Sequence, residues 1–175
     1  MRTLCSFAVL AAVFAAGIPR AVGGVDNAPA SSPEFQRLKA LVGTWKATAD
    51  LGQGPAEVTL QYRLVAGGSA LEERLFADTP KEMVTMYHDQ KGRLTLTHYC
   101  MMGNQPRMRL ISADDRTLRF DFDKACGINP RTERHMHALN VPFLDADAFQ
   151  QDWTCYENGK PADKTVTLAF KRVKP

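Results

Sequence analysis

His98-Tyr99-Cys100 and His135-Met136-His137 each place two hydrogen-bonding or metal-ligating side chains two residues apart. In an extended strand such side chains share a face, about 6.6 Å apart along the backbone. The same face carries apolar residues in each stretch. Leu94 and Leu96 go with His98 and Cys100, Leu139 and Val141 with His135 and His137, and Phe149 and Trp153 with Gln151 and Cys155. A buried polar group needs a partner, so a face of this kind points to a lined interior rather than a plain aliphatic core.

Three chemistries suit that interior. Imidazole and thiolate donors suit zinc or copper, with His98, His135 and His137 as the candidate ligands. A pocket for a small, largely apolar or haem-like ligand would use His98, Cys100, His135 and His137 to orient its polar end. Trp45 and Trp153 would line or close that pocket. The third chemistry is a satisfied polar network that holds the fold closed. No catalytic residue follows from the sequence. Cys100 and His98 point in parallel with no third orienting group, and no G-x-S-x-G, phosphate-binding glycine loop or H-E-x-x-H occurs. Asp145 and Asp147 stand in a loop beside Pro142, where Asp commonly turns the chain.

The elements that position these residues are mostly strands. From Thr44 onward the hydrophobic period is two, as in Val58, Leu60, Tyr62 and Leu64, and short turns such as Asp89-Gln90-Lys91-Gly92 and Ala113-Asp114-Asp115-Arg116 separate the runs. About nine or ten strands joined this tightly leave no room for crossover helices. The expected fold is all-β, an antiparallel up-and-down barrel, because closure removes exposed sheet edges. A short helix precedes it, with Ser32 as cap, Pro33 and Glu34 in the first turn, Phe35, Leu38 and Leu41 on one face, and Gly43 as the stop.

The first 23 residues read as a signal peptide. Arg2 precedes an apolar run over 4–18, and the small residues Ala21 and Gly23 follow Pro19. That run is shorter than the roughly 20 residues needed to span a bilayer. Residues 24–31 read as a flexible leader and 32–175 as one barrel domain, exported to the periplasm or secreted, with no membrane partner after cleavage. The chain carries 22 Lys+Arg against 19 Asp+Glu, and the leader holds Arg2 and Arg20, so the mature protein is nearly neutral. A nucleic-acid partner is not expected. Cys100, Cys126 and Cys155 would meet an oxidising compartment, which suggests one bridge, Cys126 with Cys155, and one free thiol.

Leu41-Val42-Gly43-Thr44-Trp45 after a capping helix resembles the G-x-W opening of lipocalin-type (calycin) barrels. His98-Tyr99-Cys100, the run Gly103-Asn104-Gln105-Pro106-Arg107-Met108, His135-Met136-His137, Asp145-Ala146-Asp147 and Trp153 are similar to a bacterial exported family of unknown function. That family is distantly related in fold to nitrobindin. The resemblance covers about residues 34–172 and implies a calycin-like barrel. It also implies that a basic residue near the last strand, Arg172 here, packs over the G-x-W indole, and that relatives hold haem through a histidine. Together these readings lead to an exported binding module, with a metal- or haem-dependent enzyme as the alternative.

Overall fold

The computed structural model describes residues 31–174 apart from 51 and 53, so the signal peptide and nearly all of the leader lie outside the described residues. A short helix, α1 (Pro33–Lys39), precedes β1 (Gly43–Asp50), β2 (Pro55–Val65), β3 (Ala70–Leu75), β4 (Met83–Gln90), β5 (Arg93–Tyr99), β6 (Arg107–Ala113), β7 (Thr117–Phe122), β8 (His135–Asp145), β9 (Ala148–Glu157), the two-residue β10 (Lys160–Pro161) and β11 (Val166–Arg172). Each strand from β1 to β9 pairs antiparallel with the next, β9 pairs with β11, and β11 returns to β1. The result is a closed barrel of ten antiparallel strands, with β10 as a short continuation of the ladder on β9. Closure leaves no long edge unpaired. Among the described residues no helix is long and apolar enough to cross a membrane.

The helix forms where the sequence signals it and plugs one end. Ser32 Oγ accepts from Phe35 N at 3.1 Å and donates to Asp89 Oδ1 at 2.7 Å, so the cap is tied to the end of β4. Arg37 donates to the Asp114 carbonyl at 2.6 Å, which fixes the helix over the β6–β7 turn. Phe35 and Leu38 are buried beneath it, each contributing about 2 kcal/mol by burial.

Trp45 lies under the helix, its Nε1 donating to the Leu41 carbonyl at 2.7 Å and its ring edge-on to Phe149 at 4.7 Å. The Arg172 guanidinium sits 4.1 Å from the Trp45 ring and bonds the carbonyls of Val42 and Ala40 at 3.0 and 2.9 Å. Arg172 therefore links the closing strand, the indole and the helix exit. Gly43 runs beneath it at φ +129°, where an added Cβ would come within 3.3 Å of Arg172 Nη1.

Candidate functional site

Four consecutive strands place Tyr62, Glu73, Thr85 and His98 in one row. Tyr62 faces Glu73, Glu73 faces Thr85, and Thr85 faces His98 as direct cross-strand partners. All four are buried, and Glu73 is 0% exposed. Glu73 Oε2 accepts from Tyr62 OH, Tyr87 OH (2.8 Å) and Gln151 Nε2 (2.7 Å), while Oε1 accepts from Thr85 Oγ1 at 3.1 Å. Thr85 Oγ1 also lies 3.0 Å from His98 Nδ1. The Gln151 amide is oriented by Trp153. The indole Nε1 can only donate, and it bonds Gln151 Oε1 at 3.1 Å, which turns the NH2 toward Glu73.

Above this network, at the end opposite the helix, the barrel opens into a cavity of about 620 Å3. Val58, Leu75, Met83, Trp153 and Leu168 form its wall, and Phe76, Met101, Met136 and Val166 its upper rim. Glu73 lies two residues deeper than Leu75, Thr85 two deeper than Met83, and Gln151 two deeper than Trp153. His98 lines the cavity with its ring 4.7 Å from that of Trp153. Its Nδ1 is turned to Thr85, and Nε2, on the far edge of the ring, is buried without a hydrogen-bond partner. The charged lining residues are Glu57 and Lys81, both exposed at the mouth.

Burial controls the ionisation of this set. It pushes His98 down to about 4, so the ring is neutral at physiological pH. It also pushes the Glu73 carboxyl above its ordinary value, against the pull of the four donors. Tyr62 and Tyr87 are raised by burial and by the Glu73 charge, which keeps both hydroxyls protonated and donating.

The other expected site residues fall elsewhere. Trp45 lies at the helix end and does not line the cavity. His135 and His137 do not share the lumenal face expected for them, because β8 carries a bulge. Met136 pairs with Cys155 and Ala138 with Thr154, leaving His137 as the extra residue. Met136 therefore reaches the cavity, whereas His137 stacks on Tyr156 at 3.6 Å and approaches Asp121.

His135 Nε2 and His137 Nδ1 are 2.8 Å apart, and His135 Nδ1 bonds the Glu133 carbonyl at 2.7 Å, so the pair satisfies itself. Among the described residues no three His, Cys, Asp or Glu side chains converge as a metal would require, so the metal set of His98, His135 and His137 is not assembled. Cys100, Cys126 and Cys155 are all free. The expected Cys126–Cys155 bridge does not form: Cys126 ends a 3-10 turn capped by Asp123, and Cys155 is buried on β9. Cys100 is also buried, but it does not line the cavity.

No protein-family model matches the sequence, and no curated protein matches it. The chain is similar to a solved structure from Nostoc punctiforme, a protein of unknown function from the DUF3598 family. The identity is 15%, the TM-score 0.49, and the match covers 78% of this chain and 49% of that one. The chain thus spans about half the length of that protein.

The residue at the centre of the site, Glu73, stood unremarked in the sequence, as did Thr85 and Tyr87. The signal was present. In Ala70–Leu75 the alternation places Glu73 on the face of Leu71 and Leu75, and a carboxylate on an apolar face must be either neutralised or multiply bonded.

Proposed function

We propose that the barrel binds one small, largely apolar molecule in the cavity at its open end. The observation that carries this reading is a largely apolar chamber of about 620 Å3 with His98 in its wall, a ring whose Nε2 is buried and has no hydrogen-bond partner. Chambers of this size and lining are what drug-sized ligands occupy. Met83 in the wall and Met101 and Met136 at the rim supply adaptable apolar contact. The proposed setting is the periplasm or the exterior, supported by the N-terminal signal pattern.

The test is titration with the neutral fluorescent probe N-phenyl-1-naphthylamine, before and after Val166→Trp. Val166 lines the cavity and is half-buried, so a larger side chain there fills the chamber without overpacking the barrel centre. Saturable one-site binding weakened at least about tenfold by the substitution is expected. Absence of binding, or binding indifferent to Val166→Trp, overturns the reading.

A haem-binding alternative keeps one of the three histidines as a donor. His98 is neutral with Nε2 free, as an axial ligand must be, whereas His135 and His137 are committed to each other. Haemin titration tests it: a Soret shift in the wild type that disappears in His98→Phe supports an axial role.

A further inference from the structure

The direction of the hydrogen bonds in the Glu73–Thr85–His98 row determines what the cavity offers its occupant. Glu73 Oε2 already receives three donors, from Tyr62, Tyr87 and Gln151, which leaves no place for a proton on that oxygen. Oε1 in turn accepts the one hydroxyl proton of Thr85, so neither oxygen carries a proton in this arrangement, and Thr85 must accept from His98 Nδ1–H. The neutral imidazole then carries its proton on Nδ1, and Nε2 is a lone pair. An acceptor sealed in an apolar wall leaves a hydrogen bond unmade, at a cost that a suitable ligand recovers.

We propose that the ligand is a neutral apolar molecule with a hydroxyl or N–H donor at its inner end, which it gives to His98 Nε2. The proposal rests on the cavity-binding reading and adds the ligand's chemical class. A carboxylate is disfavoured at that position, since it would face a lone pair with the Glu73 charge behind it. Lys81, a cation that could receive it, is exposed at the mouth. A ketone or ether is disfavoured because it brings a second acceptor.

Replacing Glu73 with the isosteric amide reverses the row. The amide oxygen keeps the three donors of Oε2, and its NH2 occupies the place of Oε1 and donates to Thr85. Thr85 then donates to His98 Nδ1, and the imidazole proton moves to Nε2. The cavity wall changes from acceptor to donor without a change of shape.

The experiment is calorimetric titration of the wild type, Glu73→Gln and His98→Phe with 2-naphthol, 2-methoxynaphthalene and 2-acetylnaphthalene at pH 7.5, where 2-naphthol is uncharged. The wild type should bind 2-naphthol about tenfold more tightly than the other two. In Glu73→Gln, 2-acetylnaphthalene should become the preferred ligand, and His98→Phe should bind all three alike. Nitrogen-15 shifts of the His98 ring should report Nδ1–H in the wild type and Nε2–H in Glu73→Gln, a readout that needs no ligand.

Equal binding of the three compounds by the wild type overturns the donor assignment and leaves cavity binding intact. Binding of none removes both. An Nε2–H tautomer in the wild type overturns the proposal even if Glu73→Gln fails to fold.

Discussion

His98 and Glu73 are bonded to the same hydroxyl from opposite sides: Thr85 Oγ1 lies 3.0 Å from His98 Nδ1 and 3.1 Å from Glu73 Oε1. A hydroxyl has one proton to give, so the two titratable groups are coupled without direct contact. The coupling runs from the buried Glu73 carboxyl to the histidine that lines the cavity.

Opposite signs of pH dependence follow from the two groups. His98 is held neutral down to about 4, so its contribution to stability is complete above its ordinary value of 6.5 and is lost as pH falls from 6.5 to about 4. The full loss is about 3 kcal/mol. Glu73 is raised, so its contribution is complete below its ordinary value and is lost as pH climbs through the raised one. On acidification the wild type therefore loses the first term while regaining the second. Urea unfolding from pH 7 to pH 4 should show a steeper acid loss in Glu73→Gln than in the wild type, and a shallower one in His98→Phe. Parallel slopes in all three proteins would disprove the assignment.

Arg172 should matter through its planar fork. Its guanidinium stacks on Trp45 and bonds two carbonyls at the exit of α1, which an ammonium cannot reproduce. Arg172→Ala should cost about 2 kcal/mol in urea unfolding, and Arg172→Lys should recover less than half of that. Full recovery by lysine would show that charge alone acts there.

The barrel was legible because its signals are local and repeated. Alternation over Val58 to Leu64 and turn pairs such as Lys91-Gly92 set the strands, and Ser32 with Pro33 set the helix. His98 and Trp153 were legible as lumenal for the same reason. His137 was not, since the bulge adds one residue to β8 without any trace in residue type, and a one-residue slip turns a side chain to the other face. Trp45 sits at the closed helix end rather than in the cavity lining: residue type and spacing do not show which end the helix closes. Glu73 is the opposite case: alternation places it on the face of Leu71 and Leu75, but its four donors come from three other strands and leave no local motif beside it.

The cysteines should separate by accessibility rather than pair. Cys126 is half-exposed, whereas Cys100 and Cys155 are buried, and burial pushes the Cys100 thiol up. Iodoacetamide labelling of the non-reduced native protein, read peptide by peptide, should modify Cys126 first. Cys100 and Cys155 should follow only on unfolding. A Cys126 peptide that stays unlabelled until a reductant is added would restore the bridge.

The two tryptophans provide an internal control for where a ligand sits. Trp153 lines the cavity against His98, and Trp45 is sealed at the helix end beneath Arg172. The layer of Glu73, Gln151 and the tyrosines lies between them, so an occupant of the cavity touches one indole and not the other. Ligand-induced change in intrinsic fluorescence should therefore persist in Trp45→Phe and vanish in Trp153→Phe. Trp45→Phe removes the bond to the Leu41 carbonyl and should lower stability by about 1–2 kcal/mol. Affinity should stay within about twofold of the wild type, since that side chain is outside the binding chamber. A fluorescence response carried by Trp45 instead would move the binding site to the helix end, and the cavity at the open mouth would lose its role.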